Sequence, residues 1–147
     1  MDDKIRYCAS AFVLNHENKI LLIWHKKFNK YIQPGGHLNE GEEPYEAAIR
    51  EVLEETHIHI NIPNTEPFSV GDYHNNVGHQ IDYQFIAFAE DEEIRKNDES
   101  FKAGWYSLED LDNISVVEDL KDKVKFVLEH AKYGEEIWTK ELLLEKN

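Results

Sequence analysis

Four glutamates, Glu42, Glu51, Glu54 and Glu55, crowd one segment of a 147-residue chain. At 100° per helical residue, with Glu51 as zero, Glu55 lies at about 40° and Glu54 at about −60°. Three carboxylates thus share an arc of about 100°, beside an apolar stripe of Tyr45, Ala48, Ile49, Val52 and Leu53. Like charges at i,i+3 and i,i+4 repel by a few tenths of a kcal/mol per pair on an exposed helix. A hard divalent cation relieves that repulsion, because Mg²⁺ and Mn²⁺ take oxygen ligands. Arg50 stands four residues before Glu54 and can brace it. The same run also reads as a solvated acidic face in a chain already rich in acid.

The flanking residues turn that choice toward metal. Gly36, Glu42, Arg50, Glu51, Val52, Glu54, Glu55, His57 and Ile58 fall at the spacing G-x5-E-x7-R-E-U-x-E-E-x-G-U, with U a bulky apolar residue. This segment resembles the Nudix box: eight of its nine specified positions match over 23 residues, with His57 in place of the late Gly. The box is about a sixth of the chain. Pro34-Gly35-Gly36 before it and Trp105 to Asp110 after it extend the resemblance over roughly residues 5–112.

The resemblance implies an α/β (α+β) fold, a Nudix-like α/β/α sandwich with a mixed sheet, occupying one domain over residues 1–147. It implies Glu51, Glu54 and Glu55 as Mg²⁺ ligands (Mn²⁺ substituting), with the Gly35 carbonyl as a backbone ligand. Arg50 holds a glutamate by a salt bridge, and Glu42 is structural or a peripheral ligand. Gly36 lets its loop pack tightly beside the helix. A further acid comes from a downstream loop, with Glu99 the choice and Glu90, Asp91, Glu92 and Glu93 competing. The implied activity is hydrolysis of a pyrophosphate bond in a nucleoside diphosphate linked to another moiety, or in a nucleoside triphosphate. An all-carboxylate site repels such a substrate unless metal neutralises the phosphates, activates water and holds it in line. No Walker loop is present to cradle phosphate.

The departure at His57 has a physical reading. A Gly just past a helix adopts the left-handed conformation, and His, with Asn and Asp, is among the side chains most often found there. The expected cost is about 1 kcal/mol of local strain.

The elements that position these residues are legible in outline. Residues 5–14 and 19–25 read as strands joined at Asn15 to Asn18, and Tyr31 to Gln33 as a short strand. Pro34-Gly35-Gly36 is expected to leave regular structure, Pro by its fixed φ and the glycines by access to positive φ. A helix is expected over 43–56, with Pro44 in its first turn and Glu43 and Glu46 at the positive end of its dipole. Short strands follow around 58–62, 68–73, 79–90 and 104–107. Ser107 and Asp110 carry a capping-box pattern. Helices over 116–132 and 135–144 form an expected C-terminal helical hairpin.

Composition bounds the function from outside. With 16 basic and 30 acidic residues the formal charge is −14, which argues against nucleic-acid polymers and anionic membrane surfaces. Apolar residues at 41% suffice for a core. A single cysteine, Cys8, cannot form an internal disulfide, and with no signal-like start or long apolar run a cytoplasmic location is expected. Cys8 reads as a buried small hydrophobe.

Local features add candidates. His37, next to Gly36, can contact phosphate or the leaving group, and equally suits an exposed loop. Lys26, Lys27 and Lys30 form a basic island able to steer an anionic nucleotide. Phe28 and Tyr31 can stack on a base or pack the core, the latter being the default for Trp24 and Trp105. His57, His59, His74 and His79 raise a zinc reading, although their spacing matches no zinc signature. Trp138 suits either surface packing or a homodimer contact. A non-hydrolytic nucleotide-sensing module is the alternative function, weakened by the intact carboxylate set.

Overall fold

A computed structural model describes residues 4–95 and 102–135. Two long strands form its spine: β1 (Ile5–Leu14) and β7 (Gly78–Ala89). Between them in sequence come β2 (Ile20–His25), β3 (Lys30–Ile32), β4 (Gly35–His37), the helix α1 (Pro44–Thr56), β5 (Ile60–Asn61) and β6 (Ser69–Asn75). After the spine follow β8 (Ala103–Tyr106), a 3₁₀ turn (Glu109–Asp112) and the helix α2 (Leu120–His130).

The sheet is mixed and open. β1 and β7 run parallel and in register from Ile5↔His79 to Leu14↔Phe88. The other edge of β1 meets two antiparallel partners, β2 at Leu14↔Ile20 and β4 from Cys8↔His37 to Ser10↔Gly35. β2 pairs with β8 and β3, and β7 pairs with β6 and β5, all antiparallel. Asn15 makes the first turn possible: its side-chain oxygen accepts the Glu17 and Lys19 N–H groups at 3.0 and 2.9 Å.

Alternation along the spine divides two cores. Ala9, Ala11, Val13, Phe85, Ala87 and Ala89 face α1 and meet its Ala47, Ala48 and Val52. Phe12, Leu14, Ile86 and Phe88 face the other way and meet Leu120, Val124 and Val127 of α2. The result is the expected α/β/α sandwich. Among the described residues, no helix is long and apolar enough to cross a membrane.

Two expectations are revised. Gly35 and Gly36 do not leave regular structure: they form β4 and are absent from the positive-φ glycines, which are Gly41, Gly78 and Gly134. Their service is lack of a side chain, as the site shows. The last described helix starts at Leu120 rather than 116, because the preceding chain is held to β3: Tyr31 N–H donates to Ser115 O and Val117 N–H to Tyr31 O. The second arm of the expected hairpin, with Trp138, lies outside the described residues.

Candidate active site

α1 begins with a reciprocal cap. Glu43 accepts the Glu46 backbone N–H, while Glu46 Oε1 accepts the Glu43 N–H at 3.0 Å, with Pro44 opening the helix. It ends at His57, whose φ of 64° and ψ of 16° are left-handed and whose N–H donates to Leu53 O at 2.9 Å. His57 is therefore the helix cap that the missing Gly would have supplied.

Arg50 organises the carboxylates. Its Nε and Nη2 donate to the two oxygens of Glu42 at 2.8 and 3.0 Å, a bidentate pair. Its Nη1 reaches Glu51 at 2.7 Å and Glu54 at 3.0 Å, and Nη2 also donates to His37 O at 2.9 Å. The Glu42 hydrogen bonds push the guanidinium pKa up, and Arg50 holds Glu42 below the usual carboxylate range. One cation thus ties the box's first Glu, its helix and the β4 backbone into a single unit.

β4 lies beneath these side chains. A Cβ on Gly36 would stand 2.2 Å from Glu51 Oε2, and one on Gly35 would stand 2.4 Å from Ala9 O. Bare backbone is required so that Glu51 can cross the strand. Gly35 N–H donates to Glu55 Oε1 at 2.9 Å. Burial, opposed by that hydrogen bond and assisted by Glu51 and Glu54, pushes the Glu55 carboxyl up to about 8. A cation would offset both the burial of this charge and the repulsion, so the hard-oxygen donor set fits a divalent ion.

Glu51 and Glu55 line a cleft of about 1060 Å³ on the far side of β4. Its floor is the polar end of the spine. On the α2 face the register runs from apolar pairs, Leu14↔Phe88 and Phe12↔Ile86, to polar ones, Ser10↔Gln84 and Cys8↔Asp82. α2 covers the apolar end, and the cleft opens over the polar end. Asp82, only 9% exposed, accepts on Oδ2 from Ser10 Oγ at 2.9 Å and from Gln84 Nε2 at 3.1 Å. Gln33 Nε2 donates to Ser10 Oγ at 3.1 Å. Lys123 of α2 donates to Gln84 Oε1 and, at 3.2 Å, to the Tyr73 hydroxyl. Among the described residues, the Asp82 Oδ1 atom has no hydrogen-bond partner. Burial raises the Asp82 carboxyl and pushes the Cys8 thiol up to about 11, which suits an inert thiol.

The cleft gathers some of the sequence candidates and leaves others apart. Glu51, Glu55, Gly35, His37, Lys27, Lys30 and Phe28 line it. Phe28 stacks on His25 with ring centroids 4.2 Å apart. Glu54 stands outside the lining, exposed beside Arg50. Tyr31 is also outside it, its ring packed edge-on against Trp24 at 5.2 Å and tilted on Tyr106 at 5.4 Å. Glu99 lies outside the described residues. Of its competitors, Asp91 pairs with His59 at 2.9 Å, and Glu92 is bound to Asn15 and His16. His57 and His59 are thereby used locally. The floor residues Ser10, Gln33, Asp82, Gln84 and Lys123 went unread in the sequence. For Ser10, Asp82 and Gln84 the signal was polar side chains on the inward parity of otherwise apolar strands.

The comparisons with known proteins agree with this geometry. The NUDIX domain family model matches residues 4–128, so the chain belongs to the Nudix family. It is 28% identical over 105 residues to "Uncharacterized Nudix hydrolase YvcI" of Bacillus subtilis (strain 168), covering 69% of this chain and 66% of that protein. A NUDIX family hydrolase from Clostridium perfringens superposes with a TM-score of 0.76 at 26% identity, covering 84% of this chain and 96% of that one. The C. elegans Ap4A hydrolase shares the fold, with a TM-score of 0.70 at 20% identity over 87% of this chain and all (100%) of that one.

Proposed function

We propose that the chain is a Mg²⁺-dependent pyrophosphohydrolase, with Mn²⁺ able to substitute, acting on a nucleoside diphosphate linked to another moiety or on a nucleoside triphosphate. The observation that carries this reading is the passage of Glu51 and Glu55 over a side-chain-free strand into one cleft. Glu51, Glu54 and Glu55, with the Gly35 carbonyl, would hold the metal. A divalent ion held by these residues would supply charge to offset the phosphate oxygens and to acidify a bound water.

The chain's own residues do the rest. Arg50 keeps Glu51 and Glu54 aimed, and Gly35 N–H fixes one oxygen of Glu55. A carboxylate facing the cleft accepts the proton of the attacking water. Lys27 and Lys30 on the rim attract an anionic substrate into an otherwise acidic protein, and His37 lies beside the carboxylates to meet a phosphate. The polar floor offers hydrogen bonds to the rest of a nucleotide. Ap4A hydrolase activity in a neighbour of the same fold is consistent with a dinucleoside polyphosphate as one such substrate.

Phosphate or nucleotide release from a panel of nucleoside triphosphates, ADP-ribose and Ap4A tests the reading with Mg²⁺, with Mn²⁺ and with excess EDTA. Turnover with either metal and none in EDTA is expected. Mg²⁺ should also raise Tm, because a ligand bound by the folded state alone stabilises it. Full activity in EDTA would sink the proposal.

A further inference from the structure

The hairpin of β6 and β7 carries a second set of ligand-type side chains, separate from the carboxylate helix. His74 and His79 are direct cross-strand partners, and Asp72 stands two residues before His74. Period-2 alternation puts all three on one face of the hairpin. Asp72 Oδ1 lies 2.7 Å from His79 Nε2 and 3.4 Å from His74 Nε2. The two imidazoles stack with centroids 3.9 Å apart and planes at 24°. One ligand atom from each residue therefore converges, all within 4.8 Å of one another.

Both imidazoles turn the same nitrogen toward one carboxylate oxygen. With both neutral, each Nε2 can carry either a hydrogen or a lone pair, and the lone-pair tautomers give three donors to one ion. Two imidazole nitrogens and a carboxylate oxygen suit a borderline ion such as Zn²⁺, and Mg²⁺ is poorly served by imidazole. Three protein ligands leave a fourth position open. His79 shares the parity of Phe85, Ala87 and Ala89, so the three side chains stand on the α1 side of the sheet, opposite the Asp82 and Gln84 floor.

We propose that Asp72, His74 and His79 form a binding site for Zn²⁺ or a similar borderline divalent cation on the β6–β7 hairpin. The site is independent of the pyrophosphohydrolase reading and stands or falls without it. The cluster of His16, Glu17 and Glu92 is the nearest competitor among the described residues, with one imidazole against two carboxylates.

The test is a Zn²⁺ titration of the full chain in excess Mg²⁺, which occupies the all-oxygen sites, read by long-range ¹H–¹⁵N NMR of the histidine rings and by calorimetry. One equivalent of Zn²⁺ should move the Nε2 signals of His74 and His79 while those of His57 and His59 stay put. The double variant His74→Ala/His79→Ala should bind Zn²⁺ at least tenfold more weakly with an unchanged Tm. Equal affinity in that variant, or shifts confined to His16 or other rings, would overturn the proposal. The wild-type ring signals decide the matter alone if the variant does not fold.

Discussion

The two faces of the β1–β7 spine are built from alternate residues of the same strands, yet they differ in kind. Toward α1 the sheet shows mostly small side chains, and Ala47 and Ala48 of the helix press onto Ala9, Ala11, Ala87 and Ala89. Toward α2 it shows Phe12, Leu14, Ile86 and Phe88 at one end and Ser10, Asp82 and Gln84 at the other. The small-residue face brings a helix close and holds its carboxylates to a fixed line. The graded face carries a helix over its apolar half and leaves a cleft over its polar half. Position is set on one side of the sheet and room for a ligand on the other.

Core truncation and core overfilling should break this comparison in opposite ways. Leu22→Ala, in the α2-side core, should cost about 2–5 kcal/mol of stability with little change in kcat of the folded protein. Ala48→Leu, in the α1-side core, should cost about 1–3 kcal/mol by overpacking and also lower kcat, because the helix must shift with its glutamates. Denaturant melts and rates on both variants decide it; equal kcat in the two would remove the claimed asymmetry.

Charge removal sharpens the role of the small-residue face. Glu54→Gln and Glu55→Gln should each lower kcat by about two orders of magnitude or more, corresponding to about 3 kcal/mol of lost transition-state stabilisation. Stability without metal should hold or rise slightly, since like-charge repulsion is relieved. Wild-type turnover in both variants would misplace the site.

The polar half of the opposite face should show itself in pH dependence. Burial raises the Asp82 carboxyl in the folded state. The folded chain therefore holds a proton that the unfolded chain has released above about pH 4. The contribution of this group to stability is complete below that pH and declines as pH rises toward the folded value. Asp82→Asn should remove this decline, so wild type and variant compared by melts at pH 5 and pH 8 should diverge at the higher pH. Parallel profiles would show that Asp82 does not titrate with folding.

The smallest effect is expected at the helix end. His57→Gly keeps the left-handed cap and relieves strain, for a gain of up to about 1 kcal/mol, reduced by the freedom of Gly in the unfolded chain. Turnover should be nearly unchanged, because the carboxylates precede the cap. A large loss of turnover at unaltered stability would make His57 a working ligand.

Much of this was readable from the chain. Helical periodicity put the box glutamates on one arc, and α1 runs from Pro44 to Thr56 with His57 left-handed beyond it. The Ser107–Asp110 cap formed as its spacing indicated, with the backbone bonds at 2.8 and 3.2 Å. These are local matters, decided by residues within one or two turns of each other. Arg50 was legible only as a brace for Glu54. Its bidentate hold on Glu42 needed the loop from β4 to fold back on the helix.

What the tertiary structure alone decided depends on distant segments meeting. The glycines at 35 and 36 suggested a turn by their conformational freedom, but a strand formed because β1 offered an edge, with Gly35 pressed on Ala9 and Ser10 and Gly36 leaving the space that Glu51 fills. The helix expected from Val116 began only at Leu120, because 115–117 paired with β3, a contact no local pattern records. The Asp82 floor joins residues 72 positions apart through Ser10, and the cleft exists because parallel register stacks polar on polar. Periodicity along one segment can say which side chains share a face; the register between segments decides what that face meets.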